Sequence, residues 1–285
     1  MNKLITDTNV WYNISTGRLD ISNLTKKYIL CPSTINLIEI LAKMNSNNFN
    51  VRKKAFLAMK PYSNNMVCSN DKLLGKLWKK KDRFQLHFTN YFNAIEKSNN
   101  LDEFKQNLSV YKNLFMIDQL HSHQQREWDT FKKDILGIIE SWKPGYQPKL
   151  PDTRYSFMKQ IDIKKLDVEK NSEEYAKWCV GALFLRANGS ENAKFQNRFD
   201  LSKKVLSTYI EVYRQYLLYC ANSAPPEEND YADLELFLYG CLVPHFEPQN
   251  TIYIGTAENK WLTIAQKSNI NNIIDLKTYE QSSPD

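Results

Sequence analysis

The sequence predicts an α/β protein: a parallel sheet flanked by helices, assembled from both chain ends, with a large all-helical insertion between them. Three observations carry this reading. Residues 1–50 and 226–285 alternate short apolar runs with amphipathic ones, the order that lays a parallel sheet under helices. Residues 51–225 hold almost no period-two runs and many of helical period. Glycine is scarce, 8 of 285 residues, against a usual share of ~7%, which disfavours a turn-rich all-β chain.

Each element follows in order. "LITDTNVWY" at 4–12 reads as an opening strand, "DISNLTKK" at 20–27 as a short helix, and "YILCPS" at 28–33 as a second buried strand broken by Pro32. "STINLIEILAKM" then starts a helix with Ser33 or Thr34 as its N-cap and Ile35, Ile38 and Leu41 on one face. Helical runs fill the middle: "DKLLGKLWKKKDRFQLHFTNYFNAIEK", "WDTFKKDILGIIESW", "SEEYAKWCVGALFLRA" and "LSKKVLSTYIEVYRQYLLYCA". "KPGYQPKLPDT" at 143–153 interrupts them as a loop. After the turn "NSAPPEEND" the alternation returns: helix "YADLELFLYGCLV", strand "NTIYIGT", helix "NKWLTIAQKS" and strand "NIIDLKTY". The two ends, 1–50 and 226–285, thus form one discontinuous core, with 51–225 as a helical insertion.

Bulk properties narrow the function. A net charge of +6 suits a polyanionic partner such as RNA or DNA. The five cysteines are scattered without a CxxC pair, which argues against a disulfide framework or a structural zinc site. His121 and His123, two residues apart, point to different sides of a helix and make a weak metal signal. The sequence contains no run apolar and long enough for a signal peptide or a membrane span, so the expected setting is reducing and cytoplasmic, with no membrane partner.

The acidic residues carry the chemistry. In an open parallel sheet, ligands bind beyond the carboxyl ends of the strands. Asp7 follows the apolar part of the first strand, and Glu258 follows "TIYIGT". Glu39 lies a little over one turn into the helix after the second strand. Asp233 opens the helix after the proline-rich turn, and Asp230 sits three residues earlier, facing the same way if that turn is already helical. Carboxylates gathered at one spot repel, and each raises its neighbours' pKa. A hard divalent cation, Mg²⁺ or Mn²⁺, relieves that repulsion and pairs naturally with a phosphate substrate.

These same residues resemble the motifs of PIN-domain nucleases. "LITDTNVWY" looks like their opening strand ending in an acid, and "CPSTINLIEIL" like the second strand and the helix bearing the second acid, here Glu39. "NDYADLELFLYG" resembles the helix that opens with the third acid, best matched by Asp233. "YIGTAENKWL" is similar to the final strand and turn, which normally reads Thr-x-Asp-x-(Lys or Arg), giving Thr256 and Glu258. The likeness covers about 1–50 and 226–280 and departs in two respects: Glu258 stands where Asp is usual, and the family core is much shorter than this chain. It implies a metal-dependent endoribonuclease with a water nucleophile, Asp7 and Asp233 as metal ligands, and Glu39 as a ligand or water-orienting group. Glu258 would complete the second ion or its water shell, and Asp230 would be an additional acid. Thr8, Asn9 and Thr256 would hydrogen-bond the carboxylates or the phosphate.

Plainer readings stand beside these. Asp7 could be a helix cap, Glu39 an exposed partner of Lys43, Asp230 and Asp233 first-turn acids favoured by the helix dipole, and Glu258 a cap. The run "KLWKKKDRF" offers Lys76, Lys79, Lys80, Lys81 and Arg83 to phosphates, with Trp78 and Phe84 to stack bases; a solvated helix with its aromatics in the core explains the same letters. The rival function is a PIN-like scaffold with catalysis weakened or lost, binding RNA or protein. An antitoxin-like partner or a second copy of the chain is compatible with either.

Overall fold

The computed structural model describes residues 1–77, 88–111, 114–142 and 202–280. Strand β1 (Asn2–Thr6) leads into α1 (Thr8–Ser15) and α2 (Ile21–Lys27), and β2 (Ile29–Cys31) into α3 (Thr34–Ala42). Helices α4 (Phe49–Ala58), α5 (Asn70–Leu77), α6 (Phe88–Glu96), α7 (Leu101–Ser109) and α8 (Ile117–Trp142) follow. Next come α9 (Ser207–Asn222), α10 (Asp230–Phe246), β3 (Thr251–Thr256), α11 (Asn259–Lys267) and β4 (Ile273–Asp275). The four strands form one sheet in the order β2-β1-β3-β4, every pair parallel. Strands from the two chain ends therefore interleave, with Leu4 level with Leu30 on one side and Tyr253 on the other.

Side chains alternate across the sheet, as a pleat demands. Ile5, Cys31, Ile252 and Ile254 point into one core, shared with α5, α8, α9, α10 and α11. Leu4 and Leu30 point into the other, shared with α1, α3, α4, α6 and α7. The described helices of 51–225 thus help cover both faces of the sheet. A parallel sheet needs that double cover, since crossover connections put helices on each side. Helix α10 comes especially close: a Cβ at Gly240 would stand 2.6 Å from Ile254 Cδ1, so the missing side chain lets the helix settle on β3.

The opening strand is shorter than the sequence suggests. Its pairing with β3 ends at Thr6, Asp7 N–H donates to the Gly255 carbonyl at 3.1 Å, and the chain turns at once into α1. Asp7 is the N-cap, its Oδ1 accepting from Val10 N–H at 3.2 Å. Val10 and Trp11 are buried from a helix, because a short apolar run satisfies either period and the cap decides. The cap of α3 falls on Ser33, in a capping box closed by Asn36 and not by an acid. The runs 143–153 and 172–187 lie outside the described residues.

Candidate functional site

Strand β1 passes to β2 on one side, while β3 passes to β4 on the other, so the connections diverge between β1 and β3. A sheet of this kind opens its ligand crevice there, at the carboxyl ends. Asp7 follows β1 directly, and Glu258 stands two residues past β3. Glu39 enters from α3 and Asp233 from the first turn of α10.

Asp7 and Asp233 are buried, Glu39 and Glu258 half-buried, and Asp233 senses the other three. Burial pushes Asp7 up to about 6, with Glu258 adding to the rise, while Val10, Thr256 and Ala257 pull the other way. Burial also pushes Glu39 up to about 7, opposed first by the Thr8 hydroxyl and then by Lys43, with the Asp7 charge raising it further. Asp233 is raised well above the usual carboxylate range by burial and then by Glu258, Asp7 and Glu39, with Trp261 opposing. Glu258 is raised by burial, with Lys260 opposing.

Asp7, Glu39 and Asp233 each have a side-chain anchor, Asp7 at the Val10 N–H. Thr8 Oγ1 donates to the Glu39 carboxylate and accepts from Asn36 Nδ2 at 3.2 Å; the same amide donates to the Thr6 carbonyl at 3.0 Å. Asn36, from the cap of α3, thereby ties that helix to the end of β1. Asp233 Oδ2 accepts from Trp261 Nε1 at 2.7 Å. Thr256 is buried, its Oγ1 accepting from Glu258 N–H at 3.1 Å. Glu258 occupies the N-cap position of α11, yet its side chain makes no cap hydrogen bond. Asp7 Oδ2 and Thr6 Oγ1 are buried polar atoms without a hydrogen-bond partner. Among the described residues, no group of three or more His, Cys, Asp or Glu side chains is arranged to hold a metal ion as it stands.

Several sequence candidates sit elsewhere or do other work. Asp230 is consumed by structure: Tyr216 Oη donates to its Oδ2 at 2.8 Å, Glu227 N–H donates to the same oxygen at 2.9 Å, and Lys260 pairs with Oδ1. Three donors thus already hold its two oxygens, which gives Asp230 a structural role at the start of α10. Asn9 is exposed on α1. Lys76, at the far end of α5, stands over the Phe246 ring, and both line a cavity of about 390 Å³ with Lys3 and Glu247. Lys3 and Glu247 mark the start of β1 and the end of α10, so this basic run begins at the edge opposite the acids. Lys79, Lys80, Lys81 and Arg83, with Trp78 and Phe84, lie outside the described residues. His121 Nδ1 meets the Ala42 carbonyl at 3.1 Å.

Sequence reading missed Trp261 and Lys260 as working parts. The signal was there: "ENKW" places the indole three residues after Glu258, on the buried side of an amphipathic helix. No described helix is long and apolar enough to cross a membrane. Compared with protein-family models, curated proteins and solved structures, the chain finds no match.

Proposed function

We propose that this chain is a PIN-like, metal-dependent endoribonuclease of the cytoplasm whose acids Asp7, Glu39, Asp233 and Glu258 hold Mg²⁺ or Mn²⁺ at the carboxyl edge of the sheet. One observation carries the reading: the Asp233 carboxyl is disfavoured as an anion by Glu258, Asp7 and Glu39 together, with burial the largest cause. Acids mutually repelled in a partly buried crevice lower stability unless something positive is shared among them. The donor chemistry fits a hard cation, all ligands being oxygens, and Asp7 Oδ2 is buried with no partner to give up. No three-ligand group is preformed among the described residues, so acids other than the Trp261-held Asp233 would turn inward to close one.

A divalent cation bound there supplies Lewis acidity toward the scissile phosphate and acidity to a nearby water. The chain's own residues do the rest. Asn36 and Thr8 fix Glu39 against the end of β1, Thr256 steadies the Glu258 backbone, and Glu258, one methylene longer than Asp, reaches in from the cap of α11.

The second reading, a scaffold that binds RNA or a protein without cutting, is favoured by the lack of a preformed three-ligand group among the described residues. Incubating the full chain and its Asp7→Asn variant with single-stranded RNA and Mn²⁺, with DNA in parallel, separates the two. Mn²⁺-dependent RNA cleavage that disappears in the variant is the expected result. Equal cleavage by both proteins, or none by either, rejects the enzyme.

A further inference from the structure

We propose that Trp261 is a positioning residue whose indole N–H locks one oxygen of Asp233, so that the other is presented to the cation; this rests on the metal reading above. The bond from Nε1 to Asp233 Oδ2 is 2.7 Å, and both residues are buried, Trp261 completely. Water therefore offers no substitute donor if the indole nitrogen is removed.

The indole is itself held rigidly. Tyr216 stacks on it at 5.4 Å between ring centroids and 15° between planes, and Phe237 leans on it at 5.6 Å and 42°. Lys260 Nζ lies 5.2 Å from the ring centre. Tyr216 and Lys260 are in turn fastened to Asp230, which sits one turn before Asp233 on α10. One buried cluster thus connects both ends of the arrangement: it sets the start of α10 through Asp230 and the direction of the Asp233 carboxylate through the indole. This explains why Asp230 is an acid although its oxygens are taken. A carboxylate that ligates by one oxygen and accepts a fixed N–H on the other is the arrangement by which neighbours orient metal ligands, and losing such a partner typically lowers metal affinity about 10- to 100-fold.

The test compares Mn²⁺ binding by the full-length chain, its Trp261→Phe variant and its Asp7→Asn variant, using calorimetry or the paramagnetic resonance signal of free Mn²⁺. Phenylalanine removes the donor and keeps an aromatic ring beside Tyr216 and Phe237, though it gives up part of the indole's volume. The expected result is Kd weakened about 10-fold or more in Trp261→Phe, with the far-ultraviolet dichroism unchanged. Wild-type affinity in Trp261→Phe overturns the inference while leaving the metal reading intact. Failure of the wild-type chain to bind Mn²⁺, or equal binding by Asp7→Asn, overturns the metal reading and this inference with it. A second measurement does not depend on the variant folding. In ¹⁵N-tryptophan-labelled wild-type chain titrated with Mg²⁺, the Trp261 indole N–H resonance, assigned by selective labelling and its contacts to Tyr216, is expected to shift. An unmoved resonance at saturating Mg²⁺ overturns the proposal.

Discussion

At the scale of single residues, the acids make stability depend on pH in a direction opposite to ordinary surface carboxylates. Asp7 is raised from 3.8 to about 6 and Glu39 from 4.5 to about 7, burial being the main cause in both. The folded chain therefore holds these protons where the unfolded chain has released them. Their contribution is complete below about pH 4 and is lost as pH rises through 6 and 7. In chelator, the melting temperature should fall between pH 5 and pH 8. Asp7→Asn, which cannot ionise, should flatten that fall and gain on the order of 2 kcal/mol at neutral pH. Differential scanning calorimetry across this range checks both, and a variant that melts below the parent at pH 7.5 would contradict the uncompensated burial of Asp7. The plain cap reading of Asp7 is half right in physical terms: Oδ1 caps α1, while Oδ2 is left over.

At the scale of elements, the turn before α10 is clamped from both sides. Lys43, just past α3, reaches Glu228 and Asn229, each at 3.0 Å. Lys260, in the first turn of α11, reaches Glu227 at 3.4 Å and pairs with Asp230. Three acid-bearing helices are thereby joined through one acidic turn. The two clamps are unequal. Glu228 is open to solvent and Lys43 half-buried, so this pair is largely screened and worth under about 1 kcal/mol. The Lys260–Asp230 pair is enclosed, with the Asp230 side chain 1% exposed. Removing one member of such a pair strands a buried charge, so Lys260→Met should cost about 3 kcal/mol. Adding Asp230→Asn, which keeps an acceptor for Tyr216, should restore much of that. Denaturant unfolding of the two single variants and the double measures the coupling; additive losses would show that the pair is not the fastening described.

At the scale of the whole molecule, the helical middle is part of what makes the sheet stable. Phe131, Ile135, Tyr209 and Tyr213 fill the core on one face, and Phe56, Tyr91, Phe92 and Phe104 fill the core on the other. Four short strands with only α1, α2, α3, α10 and α11 would leave those faces open to water. A chain joining residues 1–50 directly to 226–285 should therefore lack a cooperative thermal transition and bind hydrophobic dyes, in contrast to the full chain. A sharp, reversible melt of the shortened chain would show that the two ends fold alone. The positive charge behaves differently at this scale as well: Lys3 and Lys76 lie at the edge of the sheet opposite the acids, so net charge alone does not mark the acidic crevice.

Local chemistry was enough to read the strand order along the chain, a cap at Ser33 or Thr34, and the placement of four acids just beyond strands or early in helices; the α3 face read as Ile35, Ile38 and Leu41 instead buries Leu37, Ile40 and Leu41. Periodicity, caps and turn residues act over a few positions, and they are written where they act. Three things required the folded chain. The end of β1 at Thr6 depends on where β3 stops pairing. The commitment of Asp230 to Tyr216 and Lys260, and of Asp233 to Trp261, joins residues 14 to 30 positions apart. The rise of the acids toward neutral pH is a property of a shared desolvated space that no one segment contains. Hydrogen-bond partners and dielectric surroundings are set by which surfaces meet, and that is decided only when both ends of the polypeptide close on the same sheet.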